Sequence, residues 1–168
     1  MGGSGSSRWG NYRRKVTVEQ CHALDITELL HQGIFNRPNC IASISFKGKP
    51  RLTGEENFDI IIEADTSDPN KLRIKLKYSI QALDGPLDVE EDIRLNHSKP
   101  HYGGIRFWFK CPIVKKGEFC GKRSSKLFLP PGQMYFGCRS CYDLTYRKAQ
   151  QHDKTSEKYR RRMWDMLK

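Results

Sequence analysis

The sequence predicts an α+β protein: a small antiparallel, β-rich and sandwich-like domain, then a compact four-cysteine module, then a basic C-terminal helix. Apolar and polar residues alternate strictly from Leu72 to Ile80, which is the two-residue period of a half-buried strand. Other short apolar runs follow at roughly ten-residue spacing with turn residues between them, the pattern of a small sandwich or curled sheet. Beyond them Cys111, Cys120, Cys138 and Cys141 cluster within one stretch. The chain has 168 residues, 37% hydrophobic and 29% charged, with a mean hydropathy of −0.71. That is room for one ordinary domain with an appendage, or two small modules, around a modest core. No window approaches the roughly 18 apolar residues of a spanning helix. Residues 1–30 lack the apolar stretch of a secretory signal. The expectation is a cytoplasmic protein with no membrane partner.

Residues 1–15 read as an arm. Its first seven are Gly- and Ser-rich, and no strand precedes them and no Gly-Lys-Ser/Thr follows, so they lack the context of a phosphate loop. Arg8, Arg13, Arg14 and Lys15 then mix with Trp9 and Tyr12, either to lie on a phosphate backbone or to let Trp9 anchor the tail. Residues 16–104 read as two short helices followed by the β-rich domain. Thr17 with Gln20 and Asp25 with Glu28 fit capping boxes, Gly33 is a natural helix stop, and Ile26, Leu29 and Leu30 form the apolar stripe. Strands are expected over 40–46, 58–64 and Leu72 to Ile80, with Arg73, Lys75, Lys77 and Ser79 on the solvent face of the last. After the Asp84-Gly85-Pro86 turn, Leu87, Val89, Ile93 and Leu95 share a parity. Ile105, Phe107 and Phe109 lead into the first cysteine of the cluster.

Residues 105–146 carry the most specific chemistry, a C-x8-C-x17-C-x2-C spacing. Two turns that each offer two thiolates to one tetrahedral ion make a zinc ribbon, with one structural zinc held by Cys111, Cys120, Cys138 and Cys141. Pro112 and Gly121 follow the first two cysteines, as suits tight turns around sulfur. The inserted residues 113–119 must loop out while the pair stays together. Residues 126–129 and 133–136 are expected to form a hairpin turned at Pro130-Pro131-Gly132. Two disulfides are the competing reading, and they suit a reducing compartment poorly. Cys21 and Cys40 fall on core faces as buried thiols, and His97 and His101 are rival ligands that four cysteines make unnecessary.

At these residues the chain resembles a family of small bacterial proteins, often encoded near prophages and other mobile elements, for which no activity is assigned. The likeness lies in Gly2 to Gly10, in Phe109-Lys110-Cys111-Pro112, in Cys120-Gly121-Lys122-Arg123, in Leu127 to Pro130 and in Phe136 to Arg147. It covers about a third of the chain. It implies that Gly2–Gly10 is native sequence and that the module is a zinc ribbon, and it implies a genomic setting without a reaction.

Charge divides unevenly along the chain. Residues 1–100 hold 14 Lys+Arg against 14 Asp+Glu, and residues 101–168 hold 16 against 5, so the whole net charge of +11 lies in the last part. Such clustering points to a polyanion, nucleic acid above all. The ribbon offers Lys115, Lys116, Lys122, Arg123, Lys126 and Arg139, with Phe128 and Tyr135 as candidates for stacking on bases. Residues 147–168 read as a basic helix started by Asp143, carrying Arg147, Lys148, Lys158, Arg160, Arg161 and Arg162. A merely solvated helix face is the alternative there. No His-Glu-x-x-His, Gly-x-Ser-x-Gly or Walker motif occurs. Asp59, Glu63 and Asp65 near Lys71 lack the spacing of nuclease carboxylates. The expectation is a non-enzymatic nucleic-acid-binding accessory protein with no small-molecule substrate. A protein adaptor or inhibitor gripping an acidic surface is the second reading.

Overall fold

Strand alternation builds one large sheet. A computed structural model of the chain describes residues 15–35, 40–47, 57–68, 71–82, 85–151 and 162–166. In it β2 (Cys40–Lys47), β3 (Asn57–Asp65), β4 (Arg73–Ala82), β5 (Gly85–Ser98) and β6 (Arg106–Lys110) follow one another as an antiparallel meander. The short β9 (Arg123–Ser124) adds to the edge beside β6. Every strand expected between residues 40 and 109 is present, with bounds within three residues of those expected. Leu72, Ile74, Leu76 and Tyr78 are buried while Arg73 and Ser79 are exposed and Lys75 and Lys77 half-exposed, as the alternation requires. On β5 the buried parity is Val89, Glu91, Ile93 and Leu95, and Leu87 near its start is exposed instead.

Among the described residues the second layer is not another large sheet. It consists of β1 (His22–Asp25), α1 (Ile26–His31) and β10 (Lys126–Leu129). Leu24, Ile26, Leu29, Ile34, Leu127, Leu129 and Phe136 pack in one core with Ile60, Ile62, Ile74, Leu76, Ile93 and Phe109 of the sheet. Burying a side chain of this size is worth about 1.5–3 kcal/mol, so this seam is the main source of stability. The core runs across the change of composition near residue 104, and Cys111 and Cys138 belong to it.

Three local expectations are corrected. The segment begun at Thr17 is one 3-10 turn, Val18–Gln20, because the chain then extends into β1. Gln20 still reaches back, and its Oε1 accepts the Thr17 N–H at 2.8 Å. Residues 133–136 form no strand: β10 ladders with β1, His22 opposite Leu129 and Asp25 opposite Lys126. Phe128 and Gly137 are joined only by an isolated bridge. Asp143 starts no helix. It sits in the left-handed region at φ 49, and α2 (Arg147–Gln151) begins later, its first N–H donating to Glu19 at 3.0 Å. The Asp25 cap is as expected, accepting the Thr27 N–H at 2.9 Å, and Gly33 ends α1 at φ 73.

Candidate metal centre

The four cysteines arrive from two unlike turns. Cys111 lies directly after β6, and the chain returns through β7 (Val114–Lys115) and β8 (Glu118–Phe119) to Cys120. Lys116 and Gly117 join those strands with φ of 53 and 83, the doubly positive pair of a two-residue hairpin turn. The Cys120 N–H donates to the Ile113 carbonyl at 2.9 Å and the Gly121 N–H to that of Cys111 at 3.1 Å. The inserted residues therefore loop out as a small hairpin and leave the two sulfurs together. The second pair needs only a turn, in which the Cys141 N–H donates to the Cys138 carbonyl at 3.0 Å.

All four sulfurs lie within 4.8 Å of one another. The Cys111–Cys141 and Cys120–Cys138 separations are 3.8 and 3.9 Å, and the cysteines are free thiols. A tetrahedron of thiolates around a small divalent ion has sulfur–sulfur edges of about 3.8 Å. The four side chains can thus hold a metal ion. Crowding sets their protonation: the Cys138 thiol is pushed down to about 4, chiefly by its hydrogen bond with Cys111. That same bond pushes Cys111 up, and burial pushes Cys141 up to about 11. A cation that neutralises the cluster is what lets every sulfur act as a thiolate ligand. The Cys138 N–H also points at the Cys111 sulfur, at 3.2 Å, and softens its charge.

The shell behind the second turn is tight. A methyl at Gly137 would meet Ile113 and Tyr142 side-chain atoms at 2.6 Å. Gly137 and Phe128 exchange two backbone hydrogen bonds, at 2.8 and 2.9 Å. Glu91, buried under the sheet, accepts the Phe136 N–H at 3.0 Å. The N-terminal segment closes the other side, with the Val18 N–H on the Thr145 carbonyl at 2.9 Å and the Thr145 N–H on that of Val16 at 3.1 Å.

Cys21 is buried as expected, its Sγ on the Thr17 carbonyl at 3.3 Å. The side chain of Cys40 lies outside the described residues. His97 ladders opposite Phe107, and His101 stands edge-on to Tyr102, so neither joins the cysteine cluster.

Lys115, Lys116, Lys122, Arg123, Lys126, Arg139, Arg147, Lys148 and Arg162 are exposed. Lys126 is engaged by Asp25 at 2.7 Å, and the Arg139 guanidinium lies 5.1 Å over the Tyr146 ring. Lys158, Arg160 and Arg161 lie outside the described residues, as do Arg8, Trp9, Tyr12, Arg13 and Arg14. Of the two stacking candidates Tyr135 is exposed. Phe128 is not available: it is buried beside Cys21 and Leu144, because β10 turns that face into a small core of its own. Sequence reasoning missed Glu91, whose burial follows only from its parity with Val89 and Ile93. It placed Arg73, Lys75 and Lys77 on the solvent face of β4 but did not single out Arg94, exposed on β5.

No helix among the described residues is long and apolar enough to cross a membrane. No family model, curated protein or solved structure matches the chain.

Proposed function

We propose that this chain is a nucleic-acid-binding accessory protein organised by one structural zinc ion. Four thiolates at tetrahedral spacing suit zinc, and Cys111, Cys120, Cys138 and Cys141 would fill its shell. Zinc bound there supplies cross-linking of two distant turns; with no open position it is a staple. The observation that carries the nucleic-acid reading is the first turn itself. Lys115 and Lys116 project into solvent from the β7–β8 hairpin, and Lys122 and Arg123 follow it, exposed, onto β9 at the edge of the sheet. Exposed cations held apart on one surface track phosphates. Tyr135 and Phe119, both exposed, offer ring faces nearby in the same module. The resemblance to proteins encoded near mobile elements supports a prophage or similar setting.

Binding of labelled single- and double-stranded oligonucleotides by the full-length protein, followed across a salt series, tests the reading. Log affinity should fall linearly with log salt, by about 0.9 per phosphate contact on duplex and about 0.7 on single strands. A second reading, an adaptor or inhibitor on an acidic protein surface, is favoured by Met163, Trp164 and Met166, all exposed on the helical residues 162–166. Absence of any oligonucleotide affinity at low salt, with co-purification of one acidic protein, decides for it.

A further inference from the structure

A cleft of about 390 Å³ opens where the outer face of the large sheet meets the first cysteine turn, lined by Arg73, Asp92, Arg94, Lys110, Pro112 and Phe119. Its three cations come from three successive strands, and the register aligns them. Asp65 is opposite Arg73, Arg73 opposite Arg94, and Lys110 opposite Arg123. Leu95 opposite Phe109 puts Arg94 level with Lys110. One row therefore crosses β3, β4, β5, β6 and β9 as an acid followed by four cations. At a strand spacing of about 4.8 Å those four span roughly 14 Å.

Packing gives no reason for such a row, since like charges directly opposite one another destabilise a sheet. The same face shows the ordinary solution one step along the strands. There Lys75 pairs with Glu90 and Lys77 with Glu63, each at 2.6 Å. In the cation row, among the described residues, Arg73 alone has an ion pair, a single 3.3 Å contact with Asp65. The opposite wall of the cleft is apolar and belongs to the metal site. Pro112 follows Cys111, and the exposed Phe119 precedes Cys120. Along β6 the face continues with Arg106, its guanidinium 4.1 Å over the Trp108 ring.

A line of cations, ion-paired among the described residues at Arg73 alone, facing an apolar wall suits a chain of phosphates that carries sugars and bases. We propose that this cleft seats a nucleic-acid backbone, with Arg73, Arg94 and Lys110 on consecutive phosphates and Phe119 against a sugar or base. The proposal rests on the nucleic-acid reading above and carries that surface onto Arg73 and Arg94, which lie in the part of the sequence with no net charge. The cysteine site sets the width of the cleft through Pro112 and Phe119.

The test is oligonucleotide binding by the full chain across a salt series, with melting temperature measured on each variant. Arg94→Gln with Lys110→Gln should weaken binding by about tenfold or more and flatten the salt slope by about 1.4 on single strands or 1.8 on duplex. Arg73→Gln, on another strand, should act in the same direction with about half the loss of slope. Relief of like-charge contacts should leave the melting temperature unchanged or raise it by about 1–4 °C. The matched removal of two paired cations, Lys75→Gln with Lys77→Gln, should leave affinity within about twofold, as expected when paired surface charges contribute little. Wild-type binding that the Arg94/Lys110 change does not weaken, or that the Lys75/Lys77 change weakens equally, overturns the cleft and leaves the nucleic-acid reading standing. No binding by the wild-type protein at low salt overturns that reading and the cleft together.

Discussion

The two cysteine turns deliver two sulfurs each to one point by opposite means. The turn from Cys111 to Cys120 is self-contained: a two-strand hairpin closes on its own backbone hydrogen bonds and stands largely in solvent. The turn from Cys138 to Cys141 is only a tight bend, and its supports come from elsewhere. Phe128 bonds Gly137, Glu91 bonds Phe136, and the segment at Val16 and Val18 bonds Thr145. A short isolated hairpin is marginal in water, and the first turn meets the main core only at its base, through Cys111, Ile113 and Cys120, while residues 114–119 stay exposed. The second turn has that core at Phe136 and Cys138 and the outside supports as well. A metal held by the four sulfurs would therefore be structural in different senses on its two sides. It would hold the first turn in place and join the second to something already held.

Removing a ligand should have the largest effect on the two turns. Cys138→Ser or Cys120→Ser should each lose the metal, forfeiting binding on the order of 10–16 kcal/mol by the standard of finger peptides. Cys21→Ser should keep it. Metal content and peptide-level hydrogen exchange check both statements. After metal loss, residues 112–121 should take up deuterium well before residues 136–145, and equal uptake would show the two turns to be equally dependent.

Glu91 sharpens the second turn's side of the contrast. Its carboxyl is pushed up to about 7 by burial, against an ordinary 4.5. The Tyr78 hydroxyl lies 2.7 Å from the Met134 carbonyl and 3.1 Å from Glu91. One phenolic proton serves one of them, so a protonated Glu91 completes the set. Between pH 4.5 and 7 the folded protein then holds more protons than the unfolded one. Stability falls as pH rises through that window, by about 3 kcal/mol in all. Glu91→Gln should remove this loss and stabilise the protein at neutral pH. Denaturant melts of both proteins from pH 4 to 8, compared as a difference so that the metal's own pH dependence cancels, decide it.

Smaller effects follow at the glycines. Gly137→Ala drives a methyl into Ile113 and Tyr142, which link the two turns, and should cost about 1–3 kcal/mol with some loss of metal affinity. Gly117→Ala meets open space but keeps φ at 83, so it should cost only about 1 kcal/mol, confined to the hairpin tip. Competition with a metal chelator during thermal melts would separate the two.

Much of the fold and of the metal site is legible in the sequence, for local reasons. Alternation from Leu72 to Ile80 reports its own buried face, and four cysteines in two pairs report a candidate metal site because thiolates suit one tetrahedral ion. The Lys116-Gly117 turn lies within the inserted loop that the spacing requires. The misreadings share a cause. Leu127 and Leu129 alternate as any strand does, and nothing in them names β1 rather than residues 133–136 as partner. Phe128 looks like an exposed ring until β10 is laid against the N-terminal segment. Glu91 looks like one more surface acid of β5 until Phe136 and Tyr78 enclose it.

The charge split shows the same division in the functional surface. Residue order alone indicates the strands of the large sheet, the alternation of β4, four thiols able to converge, and a basic excess beyond residue 100. Tertiary structure alone decided that Arg73 and Arg94, from the neutral part, stand in line with Lys110 and Arg123. Composition sums charge along the chain, while a phosphate meets charge across it. Strand register, set by hairpins and by the buried parity of each strand, converts one into the other.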